Sequence, residues 1–146
     1  MASKSLYGRA ALLLTGLLAF AAPPLQAADL INPGEYSFTS TTNGRASKVS
    51  YCVTPEKAQL ANGDSKSGRE AAEREGKGRC TIESYDITGN IVTYLMTCNG
   101  TVLAGTTTYH GDGSEGDLTS TRTVKGKEQT DRIHVTAKRL GDCKVG

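Results

Sequence analysis

Residues 80–98 read CTIESYDITGNIVTYLMTC, and this stretch decides the fold class. Two short runs that contain threonine, tyrosine and β-branched residues, 80–87 and 91–98, flank the turn residues Thr88-Gly89-Asn90. Residues of this kind on both sides of a glycine-bearing turn predict a β-hairpin. The chain therefore contains at least one antiparallel strand pair, with one cysteine on each strand and both cysteines at the end away from the turn.

Similar short runs, separated by turns that mostly contain glycine, lie on both sides of this hairpin. In the last of them Ile133, Val135 and Ala137 share one face, while polar residues share the other, as expected of a sheet with one solvated side. We predict a mainly β fold: an antiparallel meander sheet of about seven strands, with one or two short helices. The sequence leaves open whether the sheet curls into a barrel. The predicted strands are 34–42, 47–53, 80–87, 91–98, 101–109, 117–124 and 132–140.

One helix is indicated by Thr54-Pro55-Glu56, which places a capping hydroxyl before a proline at the first helical position. This helix should end near Asn62-Gly63. The segment 64–79 that follows is almost entirely polar, and we interpret it as a mobile surface excursion in which 69–75 forms a short helix at most.

The four cysteines are Cys52, Cys80, Cys98 and Cys143, and they allow three pairings. A three-residue loop centred on Gly89 places Cys80 opposite Cys98, which favours Cys80–Cys98 and leaves Cys52–Cys143. A one-residue shift of register would place another residue opposite Cys98. A metal site is the alternative, but zinc ligands are usually about two to four residues apart, and no two of these cysteines are that close. Each disulfide would contribute about 3 to 5 kcal/mol by the chain-entropy model.

Residues 1–27 have the three parts of a secretory signal peptide. Lys4 and Arg9 give a positive start, an apolar run follows over 10–22, and a small residue at Ala27 offers a cleavage site. A membrane anchor is the alternative, but a spanning helix needs about 20 apolar residues, more than this run contains. We predict cleavage before Ala28, one disulfide-stapled domain over 28–146 without a stable membrane span, and a periplasmic or secreted location.

Composition excludes one class of partner and indicates a thin core. Residues 28–146 carry 15 basic and 15 acidic side chains, so nucleic acid binding has no electrostatic basis. Leu, Ile, Val and Phe together number only 19 in the same range, which is low for a globular domain. We therefore expect the disulfides to compensate for a small apolar core.

The two histidines, His110 and His134, are weak catalytic candidates. His134 falls on the polar face of the last predicted strand, which favours a solvated side chain. His110 opens the glycine-rich turn 110–116, where catalysis by a general base has no supporting motif. We therefore predict no enzyme activity, no catalytic residues and no cofactor.

Two groups of acidic and polar residues invite other sites. Asp112, Ser114, Glu115 and Asp117 crowd into one predicted turn and suggest calcium, although a plain hairpin turn is favoured because glycine and aspartate are common turn residues. Glu83 and Asp86 could be taken for paired carboxylates. Their odd spacing places them on opposite faces of a regular strand, so we interpret them as surface charges.

Six aromatic side chains in the predicted mature chain have two interpretations. Either they simply form the core, which we favour because few other large apolar residues are available, or several of them line an apolar pocket at the mouth of a curved sheet. The six are Tyr36, Phe38, Tyr51, Tyr85, Tyr94 and Tyr109.

Four short motifs occur in a characteristic order: PGEY at 33–36, YCVTPE at 51–56, TCNG at 97–100 and RLGDC at 139–143. With these motifs the chain resembles the exported bacterial family catalogued as domain of unknown function 3617, over nearly the whole predicted mature chain. Tyr36 stands where that family usually carries tryptophan. The resemblance implies an envelope or secreted protein, and it brings no catalytic residues.

Three functions fit these features. The leading hypothesis is an exported, non-enzymatic β-domain that binds an unknown protein or small ligand in the envelope. One alternative is an inhibitor that blocks an envelope hydrolase with an exposed loop, either 64–79 or 110–116. The other alternative is a carrier that holds a small apolar ligand inside a curled sheet.

Overall fold

The computed structural model describes residues 29–144, and the predicted signal peptide lies outside that range. Seven strands form a single antiparallel sheet, and two helices connect its second and third strands. The strands are β1 Gly34–Thr42, β2 Arg45–Val53, β3 Cys80–Thr88, β4 Ile91–Cys98, β5 Thr101–Tyr109, β6 Gly113–Val124 and β7 Lys127–Gly141. The helices are α1 Pro55–Ala61 and α2 Ser65–Gly76.

The strand order across the sheet is β2-β1-β7-β6-β5-β4-β3. The chain makes the β1–β2 hairpin, crosses through both helices to β3 at the other edge, and returns as a meander until β7 pairs with β1. The predicted mainly β meander is confirmed. The sheet does not close into a barrel, since β2 and β3 remain its two edges.

The tight turns follow the predicted chemistry. Asn43 and Gly44 both adopt positive φ, as do Asn99 and Gly100, which is the backbone that a two-residue turn between antiparallel strands requires. In contrast, the predicted turn over 110–116 is much shorter, because β6 already begins at Gly113.

The β3–β4 hairpin differs from the prediction at its turn. Thr88 lies opposite Ile91, so the loop contains two residues rather than three. The register then shifts between Ile82 and Ser84, which makes Glu83 the extra residue of a β-bulge. Beyond the bulge the two cysteines come into register, so the predicted pairing is correct although the predicted loop is wrong.

Both predicted disulfides are present. Cys80 and Cys98 join the two strands of the β3–β4 hairpin, with their Cα atoms 4.1 Å apart. Cys52 and Cys143, 5.5 Å apart at Cα, tie β2 to the segment after β7. The staples therefore secure both edge strands of the open sheet.

The register places all six aromatic side chains on one face of the sheet, which we call the inner face. Directly paired residues share a face, and Tyr36 pairs with Tyr51 while Tyr85 pairs with Tyr94. Tyr109 is on the same face, because it pairs with Ser114, which pairs with Ala137, which in turn pairs with Phe38. The other face, which we call the outer face, is rich in threonine.

The core is as thin as the composition predicts. Its main cluster contains Ile31, Tyr36, Val53, Ala58 and Ala137, with Tyr36 fully buried. Most of these groups come from one end of the sheet, where the helices cover the inner face. The Cys52–Cys143 disulfide and a few well-buried side chains together hold this end of the molecule, whereas Cys80–Cys98 lies at the other end of the sheet.

The prediction for 64–79 is wrong in its main point. Residues 65–76 form α2, a regular helix whose N-terminus is capped by Asp64, which accepts a hydrogen bond of 2.8 Å from the Ser67 backbone N–H. The α1 prediction is confirmed, with Thr54 accepting a hydrogen bond from the Lys57 N–H. Both helices belong to the packed structure.

Candidate functional site

Helix α2 packs against the edge strand β3 through small residues. Gly68 is buried against Tyr85, and a Cβ atom at position 68 would lie 2.5 Å from Cε1 of the tyrosine ring. Ala71 and Ala72 follow at helical spacings of three and four, so they share the face that Gly68 occupies. This face lacks a large side chain, and open space remains beneath the helix.

That space is a cavity of about 460 Å³ between β2, the two helices and β3. It lies where the two edges of the sheet are bridged by α1 and α2. Its walls are almost entirely apolar. The principal wall residues are Ile31, Val53, Leu60, Ala61, Ala71 and Ala72.

The segment before β1 closes one side of the cavity. Its residue Ile31 is held by a two-way hydrogen bond with the side chain of Asn62, the residue that caps the C-terminus of α1. The Ile31 N–H donates to Asn62 Oδ1 and the Asn62 amide donates back to the Ile31 carbonyl, both at 2.8 Å. These two hydrogen bonds hold Ile31, whose side chain forms part of the apolar wall, against the end of α1.

Two tyrosines of the inner face, Tyr51 and Tyr85, line the cavity. Burial raises the pKa of both phenols, so both stay neutral at ordinary pH and are able to donate a hydrogen bond. No buried side-chain polar atom of the described residues lacks a hydrogen-bond partner.

The other inner-face aromatics divide between core and cavity surroundings. Tyr36 belongs to the core: its single hydroxyl proton is shared between the carbonyls of Asn32 and Gly111, at 2.9 and 2.8 Å. Burial strongly raises the pKa of Tyr109, and the nearby phenols of Tyr85, Tyr51 and Tyr94 raise it further. Tyr36, with Phe38 and Tyr109 packed against its cluster, therefore belongs to the core, while Tyr51 and Tyr85 line the cavity.

Three charged side chains lie at the rim of the cavity. Lys57 of α1 and Glu75 of α2 form an ion pair of 2.9 Å between Nζ and Oε1, which joins the two helices. Arg74 is the third, and the ion pairs of residues 29–144 do not include it. The rim thus carries one positive charge in excess.

Both histidines lie away from this cavity. His134 is on the outer face of β7, with Nδ1 3.0 Å from Asp117 and Nε2 3.4 Å from Glu115. His110 is exposed in the turn before β6, where its backbone N–H donates to the Gly113 carbonyl. The pairing of His134 with acids on β6 depends on strand register, which the sequence did not reveal.

The four residues of the calcium hypothesis separate in the structure. Asp112 accepts a hydrogen bond of 2.9 Å from the Asn32 amide, while Glu115 and Asp117 flank His134 on the outer face. Ser114 pairs with Tyr109 and points to the inner face. No cluster of three or more histidine, cysteine or carboxylate groups suited to a metal ion occurs within residues 29–144.

The predicted orientation of Glu83 and Asp86 is wrong. Glu83 accepts a hydrogen bond of 2.8 Å from the Thr97 hydroxyl of β4, and Asp86 pairs with Thr93 of β4. Thr93 and Thr97 are four residues apart on that strand. Since residues four apart on a regular strand share a face, both acids point outward. The bulge at Glu83 interrupts the alternation on which the prediction depended.

Most of the cavity was not predicted from the sequence. Tyr51 and Tyr85 were among six aromatics for which a pocket was the less favoured interpretation, and neither the walls that the helices supply nor the charged rim was identified. A signal was present in Gly68, Ala71 and Ala72, whose spacing marks one helical face. We overlooked this face because its residues are small rather than strongly apolar.

Among the helices of the described chain, none has the length and apolar character needed to cross a membrane. Comparison with the curated proteins and with the solved structures returned no match. A family model does match residues 31–143, from the first cavity wall to the last cysteine, and its description is protein of unknown function, DUF3617. The chain therefore belongs to the DUF3617 family.

Proposed function

We propose that this chain is an exported, non-enzymatic binding protein that holds a small, largely apolar molecule in the cavity between the two helices and the inner face. The observation that carries the proposal is the cavity itself. Its volume of about 460 Å³ falls within the usual range for small-molecule sites, about 300 to 1,000 Å³. Its walls are apolar with a few polar groups, as such sites generally are.

The energetics of α2 support a binding role. A small domain with a thin core gains stability when larger side chains remove apolar surface from water, by about 25 cal/mol for each Å². Ala71 and Ala72 keep that surface open instead. An apolar ligand would supply the missing contacts, which makes the small residues of α2 useful despite their cost to stability.

The two cavity phenols would orient the ligand. Tyr51 comes from one edge strand and Tyr85 from the other, so their neutral hydroxyls can donate to an oxygen or nitrogen acceptor from two sides. Well-placed donors among apolar walls are the usual source of specificity in such sites. The proposed ligand therefore carries at least one hydrogen-bond acceptor.

The proposal contains no catalytic step. His134 lies on the outer face and His110 in an exposed turn, so neither imidazole faces the cavity. Two disulfides in a chain of this size are typical of proteins from oxidising compartments, which supports export to a periplasm or the medium. The inhibitor alternative loses support, because α2 is packed onto β3 and the turn before β6 is short.

Titration of a neutral, fluorescent naphthylamine tests the proposal. Wild-type protein should bind it at one saturable site, and Ala72→Trp, which fills the cavity, should weaken binding at least tenfold. Ala46→Trp is the matched control, because Ala46 is exposed on β2 far from the helices, and it should bind as wild type does. Equal binding by both folded variants would rule out the cavity as the site.

A further inference from the structure

The charges at the rim of the cavity are not balanced. Lys57 and Glu75 neutralise each other across 2.9 Å, and both side chains are more than half exposed. Arg74 adjoins this pair on α2, and the ion pairs formed among residues 29–144 leave it out. An exposed guanidinium outside those ion pairs therefore stands beside an apolar cavity.

The position of Arg74 suits a ligand whose charged group stays at the rim while its apolar part lies in the cavity. Arg74 follows Ala71 by three residues, so its apolar stem continues the wall that the alanine begins. Its planar guanidinium matches a carboxylate or phosphate through two parallel hydrogen bonds. Such a group could remain partly hydrated at the rim while the rest of the molecule is buried.

The interior of the cavity would not accept a charge. Tyr51 and Tyr85 are neutral donors there, and the remaining walls are aliphatic. Without a partner of opposite charge, an ion moved against these apolar walls would lose hydration that hydrogen bonds from two phenols replace only in part. An acidic ligand therefore has one favourable orientation, with its charge outward.

We propose that the ligand is an anionic amphiphile whose acid group binds Arg74 at the rim and whose apolar part lies against the cavity walls. This assignment rests on the proposed function, and it names the chemical class that the site selects. A single-chain fatty acid and a phosphate-headed lipid share this chemistry.

The test compares molecules with the same chain and different head groups: dodecanoate, dodecyl phosphate, dodecanol and dodecyltrimethylammonium. Each molecule is titrated against the bound naphthylamine fluorophore at concentrations below those at which it aggregates, and the displacement of the fluorophore is measured. One or both anions should bind wild type roughly fivefold more tightly than dodecanol, the size expected of an exposed charge-assisted contact, and the cation should bind most weakly. The anion with the larger preference indicates the source of the ligand.

Variants assign the preference to the rim. Arg74→Gln should abolish the advantage of the anions over dodecanol, while Glu75→Gln, which releases Lys57, should increase it. Arg45→Gln is the matched control, because Arg45 lies about 26 Å along β2 from Val53, given about 3.3 Å per residue. That variant should keep the wild-type preference.

The outcomes separate the two proposals. Equal binding of anions and dodecanol by wild type, or an unchanged preference in folded Arg74→Gln, overturns the head-group assignment while leaving the cavity as a binding site. Failure of all four molecules to bind overturns the cavity function as well. Raising the salt concentration should reduce the preference, since salt screens an exposed contact.

Discussion

Gly68 of α2 lies directly against Tyr85 of β3, so closely that a Cβ atom at position 68 would stand 2.5 Å from the ring. This contact holds the helix to the edge of the sheet, and the cavity opens beside it. The same two residues therefore connect the stability of the helix with the shape of the proposed site. They also give a test in which the sign of a mutation depends on its neighbour.

Gly68→Ala should destabilise the protein by about 1–2 kcal/mol, because crowding against Tyr85 outweighs the gain in helix propensity. In a Tyr85→Ala background the same change should instead stabilise by up to about 1 kcal/mol, since the ring is gone and the propensity remains. Urea unfolding of the four proteins measures both values. A destabilisation of equal size in both backgrounds would show that the contact is not the cause.

The two disulfides should differ in what they contribute. Cys52–Cys143 spans 91 residues of sequence and Cys80–Cys98 spans 18. The chain-entropy model gives about 4–5 kcal/mol for the longer loop and about 3 kcal/mol for the shorter one. Paired alanine variants should therefore lose more stability at Cys52–Cys143, as measured by denaturant unfolding. The reverse order would mean that local geometry at the β3–β4 hairpin dominates.

Alkaline pH should weaken the fold through its buried tyrosines. Burial raises the pKa of Tyr36 and Tyr109 above the ordinary value of 10.0, so the neutral phenol is favoured in the folded state. Their contribution is fully present below pH 10. Above it the unfolded chain releases protons first, so the free energy of unfolding falls, by at most about 1.4 kcal/mol per pH unit for each phenol.

Unfolding experiments between pH 8 and pH 11.5 check this expectation. Tyr109→Phe should reduce the fall of the unfolding free energy with pH above pH 10 by the contribution of one phenol. At pH 8, where the phenol is neutral in both states, any change in stability reports packing alone. A slope identical to that of wild type would show that Tyr109 ionises normally in the folded protein.

Local sequence signals predicted most of the strands. Asn-Gly at 43–44 and at 99–100 has an intrinsic preference for the turn that it forms, and alternation along β7 reports one buried and one solvated face. These features depend on neighbours in sequence. The pairing of β1 with β7 joins strands far apart in the chain, and alternation carries no information about it.

The β-bulge at Glu83 could not be predicted from alternation. Alternation treats β3 as regular, yet Glu83 is an extra residue that shifts the register by one. The shift brings Cys80 opposite Cys98 and turns Glu83 and Asp86 to the same face. A single inserted residue changes the pattern too little to be recognised in the sequence, although it reverses the orientation of every side chain beyond it.

The cavity was only partly predictable for a related reason. Aromatic residues are easily recognised in a sequence, so Tyr51 and Tyr85 were considered among six residues that form either the core or a pocket. A wall made of Gly68, Ala71 and Ala72 is defined by absent volume, and such a helix has little apolar signal. In a polar segment whose small residues recur at helical spacing, a packed helix beside a cavity is as good a prediction as a surface loop.

Native mass spectrometry of the protein purified from the cells that naturally produce it tests the central claim most directly. The account predicts a population heavier than the disulfide-bonded polypeptide by the mass of one small amphiphile. That population should be missing from the folded Ala72→Trp variant and present in Ala46→Trp. A bare polypeptide mass for wild type, in gentle conditions that preserve bound ligands in other proteins, would contradict it.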